Sequence, residues 1–502
     1  MNLRRVTSIL LLGIILFGQL GTVFLPVNAA ESETTGILET SEPVPEYTKE
    51  PLQGLQAEEE RDPSQDLSIE GGSHSLDAKA PVLGNQQLVK NASSAILYEA
   101  GTDTLMYSWN ADDPVYPASL VKIMTALLVI ENGNLKEDVI VSQKAIDSVT
   151  KGAVSAHLQA GEIISVENLL YCMMVDSAND AAAVLAEHIS NSQADFVSLM
   201  NRRAAELGCK GTHFVNPHGL HHESQVTTSR DVCRILREAM RHEIFRTIFG
   251  TVRCTIPATN LSEERNLETG NFLMNPNSME IYFDSRVTGG RTGVTENGTR
   301  CIAATAEKNE MFLISVVMGA ASEYEEDGTK VKSFGGFPET TQLLDQCFDA
   351  YKPARIVFPN QSFKQYPVPN GTSDVVVYPR VSVSTILSKD DNIYDLSYRF
   401  QEVDGALNAP IEKDQLISQV EIWNDGICIG QAELFAMNRV EVKETIPPIP
   451  IQEDNTDLIY AVWIVLGILG FLLFLIIIRN FLKRKKRMTH RKRVSRNRRR
   501  SR

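Results

Sequence analysis

Residues 117–132 read P-A-S-L-V-K-I-M-T-A-L-L-V-I-E-N, and this stretch decides how the surrounding chain folds. The proline predicts a break in the chain just before Ser119, and the apolar run of residues 123–130 predicts a buried helix that ends at Asn132-Gly133. Three residues along a helix bring Lys122 onto the face that carries Ser119. An unpaired lysine beside an apolar helix is costly unless it has partners, so Lys122 needs a polar environment of its own.

The pairing of a serine with a lysine indicates nucleophilic chemistry. A serine hydroxyl is a weak nucleophile at neutral pH and needs an adjacent base. Lys122 is such a base only if burial and neighbouring groups lower its pKa enough to leave it neutral. The pattern by itself is not specific, because Ser148 and Lys151 have the same spacing and a serine at a helix start is also typical of an N-cap.

Two further motifs give Ser119 its context. Ser177-Ala178-Asn179 begins 58 residues after Ser119, and Arg291-Thr292-Gly293 begins 172 residues after it. Together the three motifs predict an acylating serine site in which Lys122 handles the proton.

These motifs resemble the S-x-x-K, S-x-N and K-T-G set of the penicillin-recognising serine enzymes. Within that group the chain most resembles the low-molecular-weight penicillin-binding proteins, the serine-type D-alanyl-D-alanine carboxypeptidases. The stretches that carry the resemblance are 117–122, 177–182 and 290–293, with support from 95–100, 216–220 and 228–231. The similarity covers about residues 90–350, with a weaker likeness to the family's C-terminal β-domain as far as about residue 445.

The resemblance implies a role for each residue of the motifs. Ser119 is expected to be the acyl-ester nucleophile, Lys122 the proton acceptor and Ser177 the proton relay. The residues expected to bind substrate, partly through an oxyanion hole that uses the backbone N–H groups of Ser119 and Val294, are Asn179, Arg291, Thr292, Gly293 and Val294. No cofactor and no metal is expected.

Two departures from the family pattern bear on carboxylate binding. Arg291 stands where the family usually has lysine, which keeps the charge but replaces a point charge with a planar fork. Many relatives also carry an arginine shortly before the last helix, whereas residues 333–338 contain none. His218, in an Asn-Pro-His-Gly-Leu turn, is expected to be structural because the reaction needs no second base.

The predicted activity is removal of the terminal D-alanine from peptidoglycan stem pentapeptides through a serine acyl-enzyme, with β-lactam antibiotics as covalent ligands. A β-lactamase, a transpeptidase and a catalytically weak cell-wall scaffold of the same fold stay open as alternatives. The loop around Asn216-Pro217 lacks the E-x-x-x-N pattern of a glutamate-activated water, which disfavours the β-lactamase.

Strand patterns at both ends of the catalytic region enclose a mostly helical middle. Hairpins are predicted at residues 92–109 and 301–318, and helices at 119–131, 166–189 (with Ser165 as its N-cap), 193–207, 230–241 and 340–351. This order predicts an α+β fold: an antiparallel sheet flanked by helices with an all-helical subdomain, like the DD-peptidases and β-lactamases. After Pro353, short strands with a hairpin at Asp425-Gly426 predict a small all-β domain.

The two ends of the chain indicate export and anchoring. Arg4-Arg5, an apolar run and the small residues at 29–30 are typical of a signal peptide. Residues 458–478 form a run of 21 uncharged, mostly apolar residues, and 14 of the last 24 residues are Lys or Arg. By the positive-inside rule the tail is cytoplasmic, where it meets anionic lipid, and everything before residue 458 is extracytoplasmic.

Charge and cysteine content exclude other classes. Without the tail and Arg4-Arg5 the chain has 33 basic and 63 acidic residues, so nucleic acid is not an expected partner. Seven cysteines without C-x-x-C spacing give neither a disulfide framework nor a zinc site. The predicted organisation is a signal peptide (1–30), an acidic disordered spacer (31–84), a serine DD-peptidase domain (85–352), a β-domain (353–445), a proline-rich stalk (446–457), a transmembrane helix (458–478) and a basic cytoplasmic tail (479–502).

Overall fold

The structure is a computed structural model of the chain. It describes residues 76–77, 81–84, 86–326, 328, 330–444 and 456–497. The predicted signal peptide lies outside the described residues, as do most of the predicted spacer and most of the predicted stalk, so these three segments stay predictions.

The described residues form α-helices in both halves of the catalytic region and at the C-terminus. They are α1 (Val121–Asn132), α2 (Gln143–Asp147), α3 (Val166–Met174), α4 (Asn179–Ser190), α5 (Gln193–Glu206), α6 (Ser229–Ala239), α7 (Glu243–Phe249), α8 (Phe337–Ala350) and α9 (Thr456–Asn497). Short 3₁₀ turns add Ala118–Leu120, Glu280–Tyr282 and Ile393–Asp395.

The strands fall into a catalytic group and a C-terminal group. The first is β1 (Ser94–Glu99), β2 (Thr104–Trp109), β3 (Asp138–Ile140), β4 (Ile163–Ser165), β5 (Arg253–Ile256), β6 (Arg265–Glu268), β7 (Val287–Val294), β8 (Arg300–Lys308), β9 (Met311–Ala320), β10 (Glu323–Tyr324) and β11 (Val331–Ser333). The second is β12 (Tyr351–Val357), β13 (Lys364–Tyr366), β14 (Val375–Pro379), β15 (Val383–Ser388), β16 (Ser397–Glu402), β17 (Leu416–Asn424) and β18 (Ile427–Ala436).

The central sheet is antiparallel in the order β2-β1-β9-β8-β7, so strands from the two ends of the catalytic region meet in it. The join is the pairing of β1 with β9, in which Ile96 lies opposite Val316. One face packs on α8 through residues such as Leu343 and Phe348. The other face packs against the helical core that includes α1, α3, α4 and α6. The predicted α+β fold with a sheet built from sequence-distant strands is confirmed.

The predicted helix over residues 166–189 is wrong in one respect that matters for the site. The chain forms two helices here, α3 and α4, separated by a turn at residues 175–178. Ser177 in that turn has φ +68°, a left-handed conformation that no α-helix contains. The apolar pattern continues through the turn because its residues also face the core, so periodicity does not reveal the break. The predicted N-cap is confirmed, since Ser165 Oγ accepts from Asn168 N.

The C-terminal strands form a separate core. The main sheet has the order β13-β14-β18-β17-β16, and β12 pairs with β15. Val375, Val377, Ile422 and Leu434 are buried between the strands. The predicted hairpin at Asp425-Gly426 is confirmed: β17 pairs with β18, and both turn residues have positive φ, as a two-residue hairpin turn requires.

The last helix is long and apolar enough to cross a membrane. Residues 456–486 of α9 contain a window with a mean hydropathy of 3.1, and no part of that window is buried against the rest of the described protein. The predicted span at residues 458–478 lies within this helix, which continues through the basic residues to Asn497.

Candidate functional site

Ser119 lies in a 3₁₀ turn that leads into α1, and the N-cap of α1 is Leu120. The alternative interpretation of Ser119 as the N-cap is therefore wrong. The turn is held in a tight and strained form: Ala118 has φ +46°. A Cβ on Gly219 would lie 2.0 Å from Ala118 O, and one on Gly293 would lie 2.6 Å from Ser119 N. Two glycines therefore allow the neighbouring chains to approach the serine.

Lys122 is fully buried beside Ser119 and has acceptors on all sides. Its Nζ lies 3.2 Å from Ser119 Oγ, 2.8 Å from Asn179 Oδ1 and 2.6 Å from the carbonyl oxygen of His218. These contacts explain how an apolar helix carries a lysine: the amino group is satisfied by oxygens from two other segments of the chain.

The turn between α3 and α4 brings the second motif to the first. Ser177 Oγ lies 3.2 Å from Ser119 Oγ. The Asn179 side chain is oriented by the Val154 carbonyl, which accepts from Nδ2 at 2.9 Å and leaves Oδ1 for Lys122. The structure therefore places Ser119, Lys122, Ser177 and Asn179 in one cluster, as the spacing of the motifs suggested.

Burial controls the charge of this cluster. Burial and then Arg291 lower the pKa of Lys122 well below its ordinary value, while Asp180 acts in the opposite direction. The pKa of the His218 imidazole falls to about 3, first because of burial and then because of Lys122. His218 is therefore neutral at physiological pH, and it contributes its backbone carbonyl rather than a second base.

Arg291 on β7 faces the same buried region. It is 4% exposed, and its Nη1 donates to Met174 O at 2.9 Å. Among the described residues, Nε and Nη2 have no hydrogen-bond partner. Burial lowers the pKa of Arg291 to about 10, with Asp176 acting in the opposite direction. The guanidinium thus joins the sheet to the α3–α4 turn and still has donors to offer.

Thr292, Gly293 and Val294 complete the third motif along an open strand edge. β7 ends the order of the central sheet, so within the described residues its outer edge has no neighbouring strand. The edge borders a cleft of about 880 Å³ that is also lined by Ser119 and Ser177. Gly293 matters for a different reason than a bound substrate alone: a side chain there would collide with the nucleophile turn itself.

The second S-x-x-K pattern does not form a comparable pair. Ser148 caps the C-terminus of α2, and its Oγ donates to Ala145 O at 2.6 Å. Lys151 lines the cleft as a surface residue. Among the described residues there is also no group of three His, Cys, Asp or Glu side chains that could hold a metal ion.

The segment that lacks the family's arginine is reached by a cation from elsewhere. The guanidinium of Arg300, on β8, lies 5.2 Å from the ring centre of Phe334 and 5.3 Å from that of Phe337. Sequence reasoning missed this contact, together with the Val154 and His218 carbonyls that hold the asparagine and the lysine. Backbone acceptors have no residue-type signature, so no sequence signal could have found them.

Comparisons with known proteins agree with this geometry. The chain matches the D-alanyl-D-alanine carboxypeptidase family over residues 82–322 and the penicillin-binding protein 5 C-terminal domain over residues 351–442. It is 29% identical over 356 residues to D-alanyl-D-alanine carboxypeptidase DacF of Bacillus subtilis, covering 70% of this chain and 86% of DacF. The D-alanyl-D-alanine carboxypeptidase of Streptomyces sp. strain K15 is 31% identical over 246 residues, which is 47% of this chain and 84% of that protein. Penicillin-binding protein 5 from Haemophilus influenzae superimposes with a TM-score of 0.57 at 26% identity, over 71% of this chain and 100% of its own.

The close approach of β7 to the nucleophile turn makes Gly293 a sensitive position. We expect Gly293→Ala to slow covalent labelling by fluorescent penicillin roughly 100-fold, because the new methyl group displaces Ser119 from its reactive position. Gly270→Ala is the matched control, since it borders the same cleft and a Cβ there meets no atom within 4 Å. Labelling of both variants at the wild-type rate would contradict the proposed constraint.

Proposed function

The chain belongs to the D-alanyl-D-alanine carboxypeptidase family, and we propose that it removes the terminal D-alanine of peptidoglycan stem peptides through an acyl-enzyme on Ser119. The observation that carries this proposal is the contact of a fully buried lysine amino group with the serine hydroxyl, at 3.2 Å between Lys122 Nζ and Ser119 Oγ. A buried amine with a lowered pKa is the base that a serine nucleophile needs.

The acceptors around Lys122 support its role as the proton acceptor. A neutral amine has two N–H donors and one lone pair. If the two donors go to Asn179 Oδ1 and the His218 carbonyl, the lone pair is directed at Ser119 Oγ. Ser119 Oγ then attacks the carbonyl between the two terminal D-alanines while its proton moves to Lys122.

Ser177 is suited to move the proton onward. Its hydroxyl lies 3.2 Å from Ser119 Oγ, and its left-handed backbone directs the turn into the cleft. When the C–N bond of the tetrahedral intermediate breaks, Ser177 passes a proton to the departing amine of D-alanine. Water then hydrolyses the ester that remains on Ser119.

Two backbone N–H groups are proposed to bind the developing oxyanion. Thr295 N donates to Thr299 O, in the turn towards β8. Because successive N–H groups of a strand point to opposite edges, Val294 N–H is expected to point to the open edge of β7. Gly293 lets this edge approach Ser119 N, so that the two N–H groups converge on one position in the cleft.

Arg291 and Thr292 are proposed to bind the carboxylate of the terminal D-alanine. The support is that Nε and Nη2 of Arg291 are buried without a partner among the described residues, and that both residues line the cleft. β-Lactams present a strained amide beside a carboxylate, so they are expected to acylate Ser119 as suicide substrates. This ligand class is consistent with the penicillin-binding protein family to which the chain is similar.

The single apolar C-terminal helix is suited to anchor the protein in the cell membrane. We propose a single-pass arrangement with the catalytic domain and the β-domain outside and the C-terminus in the cytoplasm. The support is the asymmetry of charge around the span, since the arginine-rich residues all follow it. The basic residues would then contact anionic lipid head groups.

The assignment of the nucleophile is tested by two substitutions. We expect Ser119→Ala to abolish covalent penicillin labelling while the far-ultraviolet circular dichroism stays unchanged. Lys122→Ala should also remove acylation, because the hydroxyl then has no base within one helical turn. Ser148→Ala is the control and should label normally. Labelling of Ser119→Ala at unchanged stoichiometry would refute the proposed mechanism.

The carboxylate role of Arg291 predicts a difference between two substrate types. Charge-assisted hydrogen bonds to a carboxylate contribute about 1.5–3 kcal/mol, which corresponds to roughly ten- to 150-fold in rate. Arg291→Ala should therefore lower D-alanine release far more than acylation by a reactive ester that lacks the carboxylate. Arg291→Lys should keep part of the activity, because the charge remains but the fork is lost.

The exposed arginine Arg202 on α5 provides a control, and Arg202→Ala should leave both reactions unchanged. Equal losses on both substrates for Arg291→Ala would show that its contact with Met174 O supports the fold of the site, and that carboxylate recognition lies elsewhere.

The proposed orientation predicts a protease result. Protease added to intact protoplasts should remove the catalytic domain and the β-domain and spare a C-terminal epitope tag, because the tail lies inside. Permeabilised protoplasts are the control, in which the tag should also disappear. Loss of the tag from intact protoplasts would place the tail outside.

A further inference from the structure

Asp180 follows Asn179 in the first turn of α4, and the catalytic steps above do not use it. Its side chain is 3% exposed, yet it accepts four hydrogen bonds. Oδ2 accepts from Ser155 Oγ at 2.7 Å and from Leu158 N at 3.0 Å, and Oδ1 accepts from the backbone N–H groups of residues 156 and 181 at 2.9 Å each. Three of the four donors belong to the loop of residues 155–158.

This loop continues directly into the wall of the cleft. Residues 150–154 line the cleft, and the Val154 carbonyl accepts from both Asn179 N and Asn179 Nδ2 at 2.9 Å. The second bond fixes the rotation of the amide, so that Asn179 Oδ1 is directed at Lys122 Nζ. A shift of residues 155–158 would move Val154, and the asparagine would lose the contact that orients it.

We propose that Asp180 is a positioning residue of the acylation step: it fixes the Val154 carbonyl, and through it the orientation of the Asn179 amide towards Lys122. The proposal rests on the proposed function of Ser119 and Lys122. Asp180 acts through Asn179 and touches no reacting atom.

The charge of Asp180 adds a second, measurable effect. Charged groups face Lys122 from β7 (Arg291) and from α4 (Asp180), and the imidazole of His218 beside it is neutral because its pKa is about 3. Asp176, in the α3–α4 turn, acts on Arg291. Burial and Arg291 lower the pKa of Lys122, whereas Asp180 raises it. Removal of this negative charge should therefore lower the pKa of Lys122 further.

The test is the pH dependence of acylation of the full-length protein in detergent, measured with a chromogenic β-lactam. In Asp180→Asn the new amide group presents N–H donors to N–H donors of the loop, which disorders it. We expect acylation to slow roughly ten- to 100-fold at neutral pH. The acid limb of the rate profile should also move to lower pH, because Lys122 loses its proton more readily.

Two variants separate positioning from a general effect on helix stability. Asp195→Asn removes a first-turn carboxylate from α5, outside the cleft, and should change neither the rate nor the profile. Ser155→Ala removes one donor from Asp180 without changing its charge. It should slow acylation less than Asp180→Asn and leave the acid limb in place.

A double-mutant cycle tests the route through Asn179. If Asp180 acts by orienting this amide, Asp180→Asn should slow Asn179→Ala little further, whereas independent effects would multiply. Multiplicative losses, an unchanged rate in Asp180→Asn, or an equal loss at all pH values without a shift of the acid limb would each overturn the proposal. These outcomes differ from failure of the proposed function, in which wild-type protein would not label at Ser119 at all.

Discussion

The structure depends on keeping one buried amine uncharged. Lys122 has no exposed surface, and water is replaced around its amino group by oxygens of Ser119, Asn179 and His218. A charged ammonium is disfavoured in such a place because it loses its hydration, and Arg291 disfavours it further. The same burial that makes the lysine costly to fold therefore makes it a base, provided that its acceptors are held in fixed positions.

Those acceptors come from segments that are distant along the chain, so the site exists only when two halves of the catalytic domain pack together. α1 supplies Ser119 and Lys122, the α3–α4 turn supplies Ser177 and Asn179, and β7 supplies the substrate edge. Arg291 connects the last two through Met174 O. Close approach is possible because Gly219 and Gly293 leave no Cβ against the serine turn. Reactivity is thus a property of the packing between sheet and helices.

The sequence predicted the parts of this arrangement that have a side-chain signature. The order of the three motifs, the sheet of distant strands and the hairpin at Asp425-Gly426 all follow from residue type and spacing. The break before α4 did not, because the residues on either side of Ser177 are apolar and the left-handed serine has no sequence signal. The carbonyls of Val154 and His218 were also invisible, since every residue has a carbonyl and only the fold selects which one accepts.

Arginine in place of the family's lysine acquires a physical meaning from its burial. An ammonium has three donors around one point, whereas the guanidinium of Arg291 spreads five over a fork. One of them holds Met174 O, and Nε and Nη2 remain buried without a partner among the described residues. Each unsatisfied buried donor costs about 1–3 kcal/mol. In the proposed role, a substrate carboxylate would remove this cost, so part of its binding free energy would come from groups that the free enzyme leaves unpaired. The same residue would then act as a strut for the α3–α4 turn and as the receptor for the substrate, two roles that a single lysine amine has too few directed donors to combine.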